Sequence, residues 1–131
     1  MQLNMTTDYA IRALLQLAKS NNVLSTTKIA EEMKIPGNYL PSIIQKLREA
    51  GLVSVRRGAK GGSTLAKPAS EITLFEIINA METTTRLNKC LEDDEFCSRD
   101  ATDYCKVHKA YEHMQSLLDS CMQSVTLADL V

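Results

Sequence analysis

The chain has no tryptophan and only two phenylalanines and four tyrosines among its 131 residues. With 5% aromatic content, its core must be assembled from Leu, Ile, Val, Met and Ala. At this length such a core can still remove roughly 70% of the unfolded surface from water. Long apolar runs are also missing, since no stretch approaches the ~18 consecutive residues of a membrane span. Met1 to Asp8 lacks the charged and apolar regions of a signal peptide. There is no internal repeat and no low-complexity tract. These absences exclude a second full domain, a membrane helix and a disordered chain, and leave one domain of ordinary size, expected in the cytoplasm.

Catalytic signatures are absent as well. The glycines between Gly58 and Gly62 lack the Gly-Lys-Ser/Thr end of a phosphate loop, and the two histidines are not placed with an evident nucleophile and orienting acid. An enzyme is not expected.

What is present is a division of charge hidden by a net value of -1. Met1 to Lys67 holds ten Lys or Arg against four Asp or Glu, whereas Pro68 to Val131 holds five against twelve. Clustered positive charge is the electrostatic footprint of a nucleic-acid face, and the acidic remainder would be repelled by phosphate. The four cysteines, Cys90, Cys97, Cys105 and Cys121, all fall in the acidic part. In a reducing compartment that clustering points to metal ligation or redox sensing rather than to structural bridges.

The spacing of apolar residues divides the chain into a mainly α fold with a small β-hairpin. Thr6 or Thr7 is expected to cap a first helix, with Asp8 in its first turn and Tyr9, Ala10, Ala13, Leu14, Leu17 and Ala18 on one stripe. Ser25 caps a short second helix carrying Ile29, Ala30 and Met33, which Lys34 to Pro36 interrupt. Leu40, Ile43, Ile44, Leu47 and Ala50 then mark a third helix whose opposite face shows Asn38, Ser42, Gln45 and Arg48. A short helix, a tight turn and a helix with a polar outer face form a helix-turn-helix. Leu52 to Arg56 alternates, the glycines allow a reversal, and Ser63 to Ala66 can pair back as a wing with Arg56, Arg57 and Lys60 at its tip. Thr73 and Glu76 make a capping box for a fourth helix bearing Leu74, Ile77, Ile78 and Met81.

Between Arg86 and Tyr104 no period holds, and the four acids Glu92 to Glu95 mark a loop. From Cys105 onward Val107, Ala110, Tyr111, Met114, Leu117, Leu118, Cys121 and Met122 share a stripe through nearly five turns. That is more apolar surface than docking on a small core requires, so a helix of a second copy is the simple partner. Cys121, on this stripe, is expected to be a buried small hydrophobe. Thr126 and Asp129 cap a last turn. The expected organisation is a DNA-binding winged helix-turn-helix over residues 1–85, a cysteine-containing sensor loop over 86–104, and a long dimerisation helix with a tail over 105–131.

Tyr9-Ala10-Ile11-Arg12-Ala13-Leu14, Tyr39 to Val53, Arg57-Gly58 with Gly61-Gly62, Glu71-Ile72-Thr73-Leu74, three cysteines and Thr126 to Leu130 follow one another along the chain. Together they resemble the Rrf2 family of bacterial transcription regulators, whose members include an iron-sulfur cluster regulator, a nitric-oxide-sensing repressor and a cysteine-metabolism repressor. The resemblance implies homodimers that bind palindromic operators in double-stranded DNA, with crossed long helices forming the dimer. It also implies a cluster, 2Fe-2S or 4Fe-4S, at Cys90, Cys97 and Cys105, one that purification can strip. Thiolates are the soft ligands such clusters need.

Two fourth ligands are open. Asp8 matches a position that reaches across the dimer in nitric-oxide-sensing relatives and is preferred, because coordination in trans would couple the sensing loop to the reading domain. His108, three residues after Cys105 on the same helical side, is the alternative. On the DNA side, Asn38, Tyr39 and Ser42 stand nearest the base edges, with Gln45 and Arg48 farther along. Arg57 is the minor-groove candidate, Arg56 and Lys60 are phosphate contacts, and Tyr9 and Arg12 are further backbone contacts or, for Tyr9, core. Pro41 replaces a base-selecting Glu of some relatives, and the C-x6-C-x7-C spacing is looser than the family's. The acidic run is expected to raise the pKa of neighbouring thiols, which ranks a simple thiol switch below a cluster. A zinc site, a disulfide switch, cofactor-free control by a small ligand, and a protein-interaction module with a basic wing are the alternatives.

Overall fold

Helix α1 spans Met5–Ser20 and buries Ala10, Ala13, Leu14 and Leu17. Its N-cap is Asn4, two or three residues before the expected Thr6 or Thr7 cap, because its first turn is capped from elsewhere in the chain. The carboxylate of Glu82 accepts from the Asn4 main-chain N–H at 2.7 Å, the Asn4 side-chain amide at 2.8 Å and the Thr7 hydroxyl at 2.6 Å. An anion at a helix N-terminus satisfies unpaired N–H groups and meets the positive end of the dipole. The computed structural model describes all residues 1–131.

Helix α2, Thr26–Met33, is capped by Ser25, whose hydroxyl accepts from Lys28 N–H at 3.2 Å. It ends at Lys34 in the left-handed region, φ 56°. Helix α3, Leu40–Glu49, places Leu40, Ile43, Ile44 and Leu47 in the core. Ala50, expected on that stripe, is exposed because the helix has already ended there. Strands β1, Val53–Arg56, and β2, Gly62–Leu65, pair antiparallel in the register Val53 to Leu65 through Arg56 to Gly62. Leu24 and Ser63 exchange backbone bonds of 3.0 and 2.8 Å, so the segment before α2 adds a third edge that fastens the wing to the helices. Gly62 sits at φ 153°, where a Cβ would collide with the Leu24 carbonyl. Only glycine admits that close approach.

Helix α4, Leu74–Met81, starts with the expected Thr73–Glu76 capping box. After a loop containing one short 3-10 turn, Lys89–Leu91, helix α5 runs over Lys106–Ser124 with Cys105 as its N-cap residue. The tail then crosses back over the winged-helix core. Leu127 N–H bonds to Ile72 O at 2.8 Å, Leu74 N–H bonds to Val125 O at 2.9 Å, and the Leu127 side chain is fully buried in the same 17-residue core as Ala10, Leu14, Leu47 and Ile72. The whole is mainly α with one hairpin wing. No helix is long and apolar enough to cross a membrane.

Candidate nucleic-acid interface and cysteine site

The α2–α3 pair and the wing place the expected DNA-facing residues on one part of the chain. Asn38, Tyr39, Ser42, Gln45 and Arg48 are all exposed at or along α3, and Arg56, Arg57 and Lys60 are exposed at the wing. Two of these side chains are already oriented by the helix. The Ser42 hydroxyl donates to Tyr39 O at 3.0 Å, and the Gln45 amide donates to Glu49 at 2.9 Å.

Tyr9 and Arg12 of α1 are half-buried and do internal work in this conformation. The Tyr9 ring lies 5.9 Å from that of Tyr39, and the Arg12 guanidinium is 5.4 Å from the Tyr9 centroid. Arg12 also pairs with Asp8 at 2.6 Å and donates to Met33 O at 3.4 Å, at the carboxyl end of α2. These contacts join α1 to both sides of the turn between α2 and α3.

The second site lies at the foot of α5. Cys90, Cys97, Cys105 and His108 line one cavity of about 370 Å³, together with Asn88 and Phe96. Cys90 is buried, Cys97 and Cys105 are partly exposed, and none is in a disulfide. His108 is buried, at 7% exposure, and its Nδ1 lies 3.1 Å from Cys90 Sγ. The Asn88 amide donates to the same sulfur at 3.2 Å, and the Cys105 sulfur accepts from His108 N–H at 3.4 Å. No three Cys, His, Asp or Glu side chains stand at metal-holding distances. Asp8 lies outside this cavity within one chain, beside Leu3, Met5 and Ile11.

The acidic run does not act on Cys97 as expected. Backbone N–H groups of Ala101 and then Arg99 hold the Cys97 thiol below its ordinary pKa. The acids have other partners. Asp94 pairs with Lys89 at 3.0 Å, a bond that holds its own carboxyl below the usual range, and Glu92 accepts from the Thr84 hydroxyl at 2.6 Å.

Cys121 is a second correction: it is exposed. The face of α5 that docks on the body is His108, Gln115 and Met122, repeating every seven residues, and it shares only Met122, at its edge, with the apolar stripe. Val107, Met114, Leu117 and Leu118 are therefore 55, 48, 60 and 37% exposed. The sequence reading followed that apolar stripe and missed the polar one beside it, His108, Glu112, Gln115 and Asp119. Its 4-3-4 spacing is the signal that could have revealed it.

A capped helix pair with an outward α3, a glycine-hinged basic wing and a core shared by both define a winged helix-turn-helix DNA-binding protein. Residues 3–131 match the family model Rrf2, described as an iron-dependent transcriptional regulator, and the chain belongs to this family of transcription regulators. It is 35% identical over 133 residues to protein aau3 of Rhizobium meliloti (strain 1021), covering 100% of this chain and 85% of that one. Among solved structures it is similar to CymR (YrzC), the global cysteine regulator of B. subtilis, with TM-score 0.79 and 26% identity over 99% of this chain and 95% of that one. It is also similar to IscR of T. potens, with TM-score 0.76 and 27% identity over 99% and 85% of the two chains.

Proposed function

We propose that this Rrf2-family regulator is a homodimeric repressor that binds a palindromic operator and is controlled by an iron-sulfur cluster held at Cys90, Cys97 and Cys105. In this reading α3 enters the major groove, with Asn38, Tyr39 and Ser42 at base edges and Gln45 and Arg48 toward the backbone. Arg57 enters the minor groove while Arg56 and Lys60 hold phosphates. The exposed apolar stripe of α5 supplies the contact between copies.

The observation that carries the sensing half is the convergence of three thiols and a buried histidine on one cavity at the foot of α5. The donor set fits a cluster, because thiolate and imidazole are the ligand types that hold iron. Backbone N–H groups already favour the thiolate of Cys97. The donors are not drawn together, so holding the group takes a rearrangement of the turns between Glu92 and Tyr104. His108 takes the fourth position in this reading in place of Asp8, since it already lines the cavity beside Cys90 and the same chain's Asp8 does not. A cluster bound there would supply redox and ligand-exchange chemistry, and in this reading the occupancy of the three thiols and His108 would set DNA affinity. A coupling of about 1.4 kcal/mol is a tenfold change in binding.

Anaerobic purification with visible absorption and metal analysis tests this. A coloured protein containing iron and sulfide, with the colour lost in Cys97→Ala, is the expected result. A colourless protein holding zinc or no metal after reconstitution with iron and sulfide overturns it. The second reading, a thiol-oxidation switch, is favoured by the backbone bonds to Cys97. It predicts that peroxide alters DNA binding of the metal-free chain.

A further inference from the structure

We propose that Gln115 is the positioning residue of the cysteine site, holding the start of the sensor loop on α5 so that Cys90 meets His108. The proposal deepens the sensing reading above by naming what sets the geometry of its ligand loop. Gln115 is only 4% exposed, in the middle of α5. Its Oε1 accepts from Leu87 N–H at 2.8 Å, and its Nε2 donates to Thr85 O at 3.0 Å and to Asp119 Oδ1 at 2.8 Å. Asp119, one turn on, receives the Arg86 guanidinium at 3.1 and 3.3 Å. Three consecutive loop residues, Thr85 to Leu87, are thus tied to two successive turns of one helix.

The orientation of this carboxamide is dictated by its partners. Leu87 offers a donor and Thr85 an acceptor, so a flipped amide would set donor against donor and acceptor against acceptor. A buried polar group left without partners is costly, which makes the arrangement all-or-none. Glutamate could accept from Leu87 but could not donate to Thr85 or Asp119.

Register follows from this clamp. Two turns back along α5 from Gln115 stands His108, and three residues on from Leu87 stands Cys90, whose sulfur lies 3.1 Å from His108 Nδ1. Loop and helix are in step at that contact because they are pinned at Gln115. The rest of the loop, Glu92 to Tyr104, consists of turns and bends with no comparable tie to α5 until Cys105 caps the helix. The clamp therefore fixes Cys90 next to the helix and makes no bond to the segment that carries Cys97.

The test uses the reduced, metal-free full chain and timed alkylation with N-ethylmaleimide, read thiol by thiol by mass spectrometry. In the wild type, buried Cys90 is expected to react far more slowly than Cys97. Gln115→Met keeps the volume and removes the bonds, and it should raise the Cys90 to Cys97 rate ratio by about tenfold, with Cys121 unchanged as the internal reference. Gln115→Glu should move the ratio in the same direction. A purely structural role would lower the melting temperature or speed all thiols together without changing that ratio, and an unchanged ratio in folded Gln115→Met overturns the proposal.

Should Gln115→Met fail to fold, hydrogen exchange on the wild type decides, because the Leu87 N–H bonds to the Gln115 side chain and to no backbone carbonyl. Slow exchange of Leu87 relative to Thr85 supports the clamp, and equal rates overturn it. Neither measurement needs iron or DNA, so a failure of the cluster reading leaves this result standing, and the reverse holds too.

Discussion

The winged-helix part and the cysteine part are held together by different forces. In the first, α1, α3, the wing and α4 surround a core of fully buried aliphatic side chains, among them Leu14, Leu40, Leu47, Ile72 and Ile77. In the second, the loop is fastened to α5 largely by polar groups: Gln115, the Arg86–Asp119 pair and the Cys90–His108 contact. Apolar burial is nearly indifferent to direction and survives small shifts, whereas a hydrogen-bonded clamp is either made or broken. A reader built on apolar burial beside a loop held by a polar clamp is the arrangement that the proposed switch needs.

The sharpest way to break this contrast is at Leu127, which belongs to the tail by sequence and to the winged-helix core by packing. Leu127→Ala should destabilise the whole domain by about 2 to 5 kcal/mol in urea unfolding, the usual result of emptying a buried Leu site. A loss below 1 kcal/mol would place the tail outside the cooperative core. Next in size, Arg57→Ala should weaken operator binding by roughly 1 to 3 kcal/mol and flatten its salt dependence while leaving the cysteine site intact. Unchanged affinity and salt slope would remove the wing from recognition.

The smallest effect concerns Glu76. Burial alone would raise its carboxyl, but the bond to Lys67 at 2.6 Å, with the Thr73 N–H, outweighs burial and holds it below the usual value. A depressed folded pKa means stability that is present above the ordinary Glu value and lost as pH falls through the folded value. Glu76→Gln should therefore flatten part of the acid limb of the stability profile, on the winged-helix side only. An acid limb identical to wild type would show that this pair is screened out.

How far each part could be read from sequence follows from the same contrast. Local signals were legible. Ser25, Thr73 with Glu76, and Thr126 with Asp129 cap the turns they were expected to cap. The wing pairs where alternation and glycines put it. Cys90, Cys97, Cys105 and His108, named together through the family resemblance, line one cavity, but no three of them stand at metal-holding distances.

Contacts between distant residues were not legible. Nothing near Asn4 announces that Glu82 will cap α1 from 78 positions away. Nothing in Gln115 announces Leu87. Periodicity located an apolar stripe on α5 but could not say which face would dock, so Cys121 was assigned to the interior. Charge counting placed four acids near the thiols without showing that Lys89 and Thr84 would engage two of them.

The return of Leu127 to the core also constrains how α5 can move. With 19 residues at about 1.5 Å each, the helix is a rod some 28 Å long. One end begins at a sulfur ligand candidate and the other is bolted into the reading domain. If Cys105 takes a ligand as proposed, a displacement there meets a lever whose far end is anchored through Leu127 to the core beneath α1.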